Sequence, residues 1–81
     1  MPLKTYTVKA DWDEEARVWV ATSDDVPGLV TEGDTLEGLI EKLRIMVPEM
    51  LELNGVLSRE AAALAPFLLI AERLEQPRAV A

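Results

Sequence analysis

The stretch Val26-Pro27-Gly28-Leu29-Val30-Thr31-Glu32-Gly33-Asp34-Thr35-Leu36-Glu37 limits what this chain can fold into more than any other. Pro27-Gly28 reads as the centre of a type II turn, with Pro presetting φ at the first central position and Gly accepting a positive φ at the second. Leu29 to Glu32 alternates and carries β-branched residues in its middle, which suits a short half-buried strand. Gly33 is expected to break that strand. Asp34 or Thr35 then caps the free N–H groups of a helix. With Asp34 as the cap, Glu37 completes an acidic capping box; with Thr35, the third helical position is Gly38 and the box is lost.

Upstream, Leu3 to Trp12 alternates, with Tyr6, Val8, Ala10 and Trp12 on one face and Thr5, Thr7 and Lys9 on the other. Residues 13–17 are polar and read as a hairpin loop. Val18 to Thr22 is the return strand, with Trp19 and Ala21 on one face and Val18, Val20 and Thr22 on the other. A cross-strand contact between an aromatic and a β-branched residue is expected to help set the register. Ser23-Asp24-Asp25 is a polar corner leading into the Pro-Gly turn.

Downstream, the apolar spacing predicts a helix from about Leu36 to Asn54. Its inner stripe is Leu36, Leu39, Ile40, Leu43, Met46, Val47, Met50 and Leu51. Glu37, Glu41, Arg44, Pro48 and Glu52 fall on the outer face, where Glu41 and Arg44 are spaced to pair. Pro48 removes one helical hydrogen bond, yet the stripe continues past it, which favours one bent helix over two. Asn54-Gly55 is a stop signal. Ser58 can cap a further short turn. Pro66 then precedes Phe67-Leu68-Leu69-Ile70-Ala71, an apolar run read as a strand. Residues 75–81 are expected to fray. The expected architecture is therefore α+β: a two-layer β-β-β-α-β domain over residues 1–74, an antiparallel sheet with one long helix packed on one face.

The 81 residues leave room for one small domain, and the apolar fraction of 49% is ample for folding. The chain has no Cys and no His, which removes disulfides, thiolate chemistry, soft zinc sites and His-based nucleophilic catalysis. A formal charge of −7 repels phosphate, so direct nucleic-acid binding is not expected, and a basic partner is favoured. No cofactor is expected. No secretory signal or membrane-spanning run is visible, which points to a cytoplasmic protein. Asp11, Glu37 and Glu41 are faint echoes of a two-metal carboxylate site, but the helix acids fall on the outer face, and catalytic activity is not expected. Trp12 and Trp19 are expected to pack with the hairpin, the alternative being exposed recognition anchors.

The runs Trp12 to Glu15, Val18 to Ala21, Asp24 to Leu29 and Glu32 to Glu37 together resemble the HicB-like antitoxin domain, and most of all its branch of short uncharacterised bacterial proteins. The similarity covers roughly residues 3–74. The resemblance implies a β-β-β-α-β fold akin to a truncated ribonuclease H core, and a protein that binds and inhibits HicA, a small basic toxin that cleaves messenger RNA. HicB antitoxins often add a C-terminal DNA-binding domain. Only seven residues follow Leu74 here, so no such domain is expected. On this reading Asp13, Glu14, Asp24 and Asp25 form an acidic rim that meets a basic partner. Phe67, Leu69 and Ala71 of the last strand are candidates for a homo-oligomer interface, because an apolar strand at a sheet edge invites pairing. The alternative function is a stand-alone homo-oligomer with an unassigned binding or scaffold role.

Overall fold

A computed structural model describes residues 4–79. The elements are β1 (Tyr6–Asp13), β2 (Val18–Thr22), β3 (Val30–Gly33), α1 (Leu36–Leu53), α2 (Arg59–Ala62) and β4 (Phe67–Glu72). The expected β-β-β-α-β order holds, with α2 as the short extra turn capped by Ser58, whose hydroxyl accepts the Ala61 N–H. Leu3, expected to begin the first strand, lies outside the described residues, as do the last two residues of the tail. Residues 73–79 carry no regular secondary structure.

The strand order is β3-β2-β1-β4. β1 pairs antiparallel with β2, and β2 with β3. β4 pairs parallel with β1, so the sheet is mixed and not antiparallel throughout. The reason is topological. The chain leaves β3 at one edge, passes through α1 and α2 over one face, and re-enters at the opposite edge beside β1 in the same direction.

The core lies between the sheet and α1. Tyr6, Val8 and Ala10 from β1 and Ala21 from β2 meet Leu39, Leu43, Val47 and Leu51 from α1, all buried. These four helix residues are the centre of the expected stripe; Leu36, Met46 and Met50 flank it half-buried. α1 runs unbroken through Pro48, which is half-buried where the periodicity placed it on the wet side. Arg44 and Glu41 pair across one turn at 3.5 Å, both exposed.

The helix is bounded by local chemistry. Thr35 is the N-cap: its Oγ1 accepts the Gly38 N–H at 3.0 Å, so the capping box with Glu37 does not form. At the other end Gly55 adopts φ +69. The Val56 N–H reaches the Leu51 carbonyl and the Gly55 N–H the Glu52 carbonyl, the two bonds of a Schellman stop.

The Pro27-Gly28 turn also forms as read. Leu29 N–H donates to the Val26 carbonyl at 3.2 Å, and Gly28 has φ +77. Leu29 belongs to this turn and not to the strand, and with Val26 it plugs the core. Gly33, expected to break β3, is its last residue and pairs with Trp19. Its role is close approach. A Cβ there would sit 3.0–3.2 Å from the backbone N, Cα and Cβ of Leu39, where α1 crosses the end of β3. Gly33→Ala is therefore expected to destabilise the fold by about 1–3 kcal/mol through overpacking against helix backbone, read as a lower urea midpoint with an unchanged slope.

Candidate functional site

The two acidic loops lie at opposite ends of the sheet. Asp13 and Glu14 belong to the β1–β2 hairpin, whereas Asp24 and Asp25 follow β2 and sit beside Thr7 at the start of β1. From Thr7 to Asp13 an extended strand rises about 20 Å, so the four acids do not make one continuous rim.

Most of these carboxylates hold the backbone. Asp13 Oδ1 accepts the N–H groups of Glu15 and Ala16 at 3.1 Å each, and its carbonyl accepts the Arg17 N–H at 2.8 Å. This closes the hairpin with Arg17 at φ 59, in the left-handed region. Glu14 accepts from Trp12 Nε1 at 2.7 Å and from Arg17 Nη1 at 2.9 Å. Asp25 Oδ2 accepts the Thr7 N–H at 2.8 Å, while Ser23 donates its hydroxyl to the Thr7 carbonyl and accepts the N–H groups of Asp25 and Val26. Ser23 and Asp25 thus replace the strand partner that β1 lacks once β2 has ended. Asp24 is the exposed acid of that corner, and its carboxylate holds no backbone group in the described structure.

Sequence reasoning missed Ser23, and it missed Asn54 as a tether. The Asn54 side-chain amide donates to the carbonyls of Met50 and Pro27, at 2.9 and 3.0 Å, and ties the end of α1 to the turn. A Ser ahead of the Pro-Gly turn and an Asn at the helix stop were the available signals, but Thr7 and Pro27, the distant groups they reach, lie far away in sequence.

The tryptophans pack on each other. The hairpin register sets Trp12 opposite Trp19, with ring centroids 5.3 Å apart and planes at 62°. The cross-strand contact is therefore aromatic with aromatic, in place of the expected aromatic with β-branched. Arg73 and Arg17 lie over the Trp12 ring at 4.2 and 5.7 Å, bringing the segment after β4 against the hairpin.

Asp11 is exposed on the sheet face opposite α1, in register with Val20 and Glu72. Glu37 and Glu41 lie on the exposed side of α1, so the sheet and the helix separate them from Asp11. Among the described residues no three His, Cys, Asp or Glu side chains converge on a point that would hold a metal ion. None of the described helices is long and apolar enough to cross a membrane.

β4 is an edge strand. Phe67 and Leu69 face α1, half-buried, and line a shallow apolar groove with Ile40, Arg44, Ala65 and Pro66. Ala71 shares their side of the strand and is exposed. The side chains that β4 turns to the open face are Leu68 and Ile70, 52% and 41% exposed, and, at its end, Glu72, which pairs with Lys9 at 3.8 Å.

The acids at the other end of the sheet offer a direct contrast. Asp25→Ala removes the acceptor for a part-buried N–H and is expected to cost about 1–3 kcal/mol of stability. Asp24→Ala is expected to stay within about 0.5 kcal/mol. Denaturant titration of the two variants side by side measures the difference.

Comparison with solved structures finds a crystal structure of a hypothetical protein from the extremely thermophilic bacterium Thermus thermophilus. It is 51% identical, aligns with a TM-score of 0.69, and the match covers 93% of this chain and 99% of that one. A search of curated proteins returns no match. Residues 5–81 match a family described as a domain of unknown function, DUF1902, and since this match takes in nearly the whole sequence, the chain belongs to the DUF1902 family.

Proposed function

We propose that this chain works by binding and not by catalysis, as a HicB-like antitoxin-type protein that neutralises a small basic HicA-type toxin cleaving messenger RNA, in the cytoplasm. The observation that supports the reading most is the coincidence of motif with frame. The runs that resemble the HicB-like domain lie in the hairpin, in the Asp24–Leu29 corner and in the Thr35-capped start of α1. They are the segments that set the β-β-β-α-β architecture. The charge of −7 supplies the second requirement, since a toxin that grips RNA phosphates presents cations that an acidic surface attracts.

Because Asp13, Glu14 and Asp25 are engaged in holding the hairpin and the corner, the acids best placed to meet a partner are exposed ones such as Asp24 and Glu15. The second reading, a stand-alone homo-oligomer with a scaffold or binding role, draws on the exposed apolar residues of β4.

The decisive experiment looks for a short basic reading frame beside this gene and titrates the chain with its product, at low and high salt. Tight binding at low salt that weakens as salt rises is expected, together with relief of growth arrest on co-expression. The Asp24→Lys, Glu15→Lys double variant is expected to bind roughly ten-fold more weakly and to show a flatter salt dependence. Absence of binding at low salt, with growth arrest unrelieved, would sink the antitoxin reading.

A further inference from the structure

We propose that β4 is the surface through which two copies of this chain pair, antiparallel and centred on Leu69, to make one continuous sheet. The inference does not rest on the antitoxin reading and stands or falls separately from it.

The two edges of the sheet are treated differently. β3 is four residues long, carries Glu32, and has the Glu32 carbonyl taken by the Lys42 ammonium from α1. β4 is six residues long, with the sequence Phe-Leu-Leu-Ile-Ala-Glu, and contains no Lys, Pro or Gly. Edges of monomeric proteins are usually protected by such residues, by shortness or by a covering element. Among the described residues Phe67–Ala71 has none of these, and the one charge of β4, Glu72, stands at its end, 3.8 Å from the Lys9 ammonium.

The hydrogen-bond phase shows which groups are open. Tyr6 N–H donates to the Pro66 carbonyl at 3.0 Å, with Tyr6 in register with Phe67. In a parallel ladder this turns the amides of Leu68 and Ile70 towards β1, and leaves the N–H and C=O groups of Phe67, Leu69 and Ala71 pointing outward. The three residues that sequence reading singled out for an interface are thus the ones whose backbone is open to pairing.

The register follows from symmetry. An antiparallel pair of identical edges has its two-fold axis perpendicular to the sheet, so both copies keep α1 on the same side and only residues of the same face can oppose each other. Centring on Leu69 sets Leu69 against itself and Phe67 against Ala71 of the second copy, as hydrogen-bonded pairs. Leu68 then lies against Ile70 of the second copy on the open face. Every pair within Phe67–Ala71 is apolar, and Glu72 falls opposite Pro66 of the second copy only at the end of the ladder. Centring on Ile70 would set Leu68 against Glu72, and centring on Leu68 would draw Pro66 into the ladder. Phe67–Ala71 is apolar on both sides of Leu69, with bulky Phe67 set against small Ala71, and a second copy of the same strand is the occupant that this pattern fits. On the helix side, the groove beside Phe67 and Leu69 opens onto this edge and can receive Leu69 of the second copy.

The chain has no Cys, so crosslinking is clean. Across a non-hydrogen-bonded antiparallel pair the Cα atoms are about 4.5 Å apart, within disulfide range. An oxidised mixture of the Leu68→Cys and Ile70→Cys variants is expected to give at least roughly five-fold more covalent dimer than either variant alone. Sedimentation of the unsubstituted chain is expected to show a dimer that tightens with salt, because two copies of charge −7 repel each other. A complex with a basic protein would weaken with salt, so failure of one proposal is distinguishable from failure of the other. Ala71→Pro deletes one outward N–H per copy and spares the bonds to β1. It is expected to raise the dimer dissociation constant roughly ten-fold or more while leaving the melting transition of the monomer in place. A monomer at all concentrations and salts, or equal crosslinking of mixed and single variants, would overturn the proposal.

Discussion

Burial of one helical stripe against one sheet face holds this domain together. Leu39, Leu43, Val47 and Leu51 are fully buried, and at about 1.5–3 kcal/mol each they supply a large share of the stability open to a domain of this size. The sheet accommodates them with small residues. Ala10 and Ala21 lie opposite each other on the inner face, and Gly33 opposes Trp19 where α1 begins its crossing. Larger side chains at these positions would hold the helix off the sheet. The cap at Thr35 and the Asn54 tether to Pro27 then fix where the helix starts and where it ends.

That frame gives the loops their form and commits much of their charge. Three of the acids that look available for a partner are used to terminate strands and close turns: Asp13 for the hairpin, Glu14 for Trp12 and Arg17, and Asp25 for Thr7. Any electrostatic partner therefore meets a field spread over the surface and not a single acidic cleft. Such a field governs encounter rate and salt response more than it governs a lock-and-key fit. The free edge of β4 differs in kind, because backbone groups and apolar side chains lie open there together.

Much of the fold was legible in the residues. The Pro27-Gly28 turn, the limits of α1, the Gly55 stop and the Ser58 cap are each set by interactions within a few positions, which a sequence displays directly. The alternation of β1 and the stripe of α1 identified the core, since burial follows the period of each element. The candidate site was less legible. That Asp25 belongs to Thr7, and that the two acidic loops lie at opposite ends of the sheet, depends on contacts between segments distant along the chain.

The sequence by itself determined the order of elements, the faces they bury, and a net charge that repels phosphate. These follow from periodicity, turn chemistry and charge, which are local or additive properties. Only the tertiary structure decided that β4 enters beside β1 and parallel to it, that Gly33 yields to Leu39, and that the backbone of Phe67, Leu69 and Ala71 faces outward. The place and phase of β4 depend on where the α1 crossover returns the chain, and the contact at Gly33 on how α1 sets out across the sheet; the packing of the whole helix on the whole sheet fixes both.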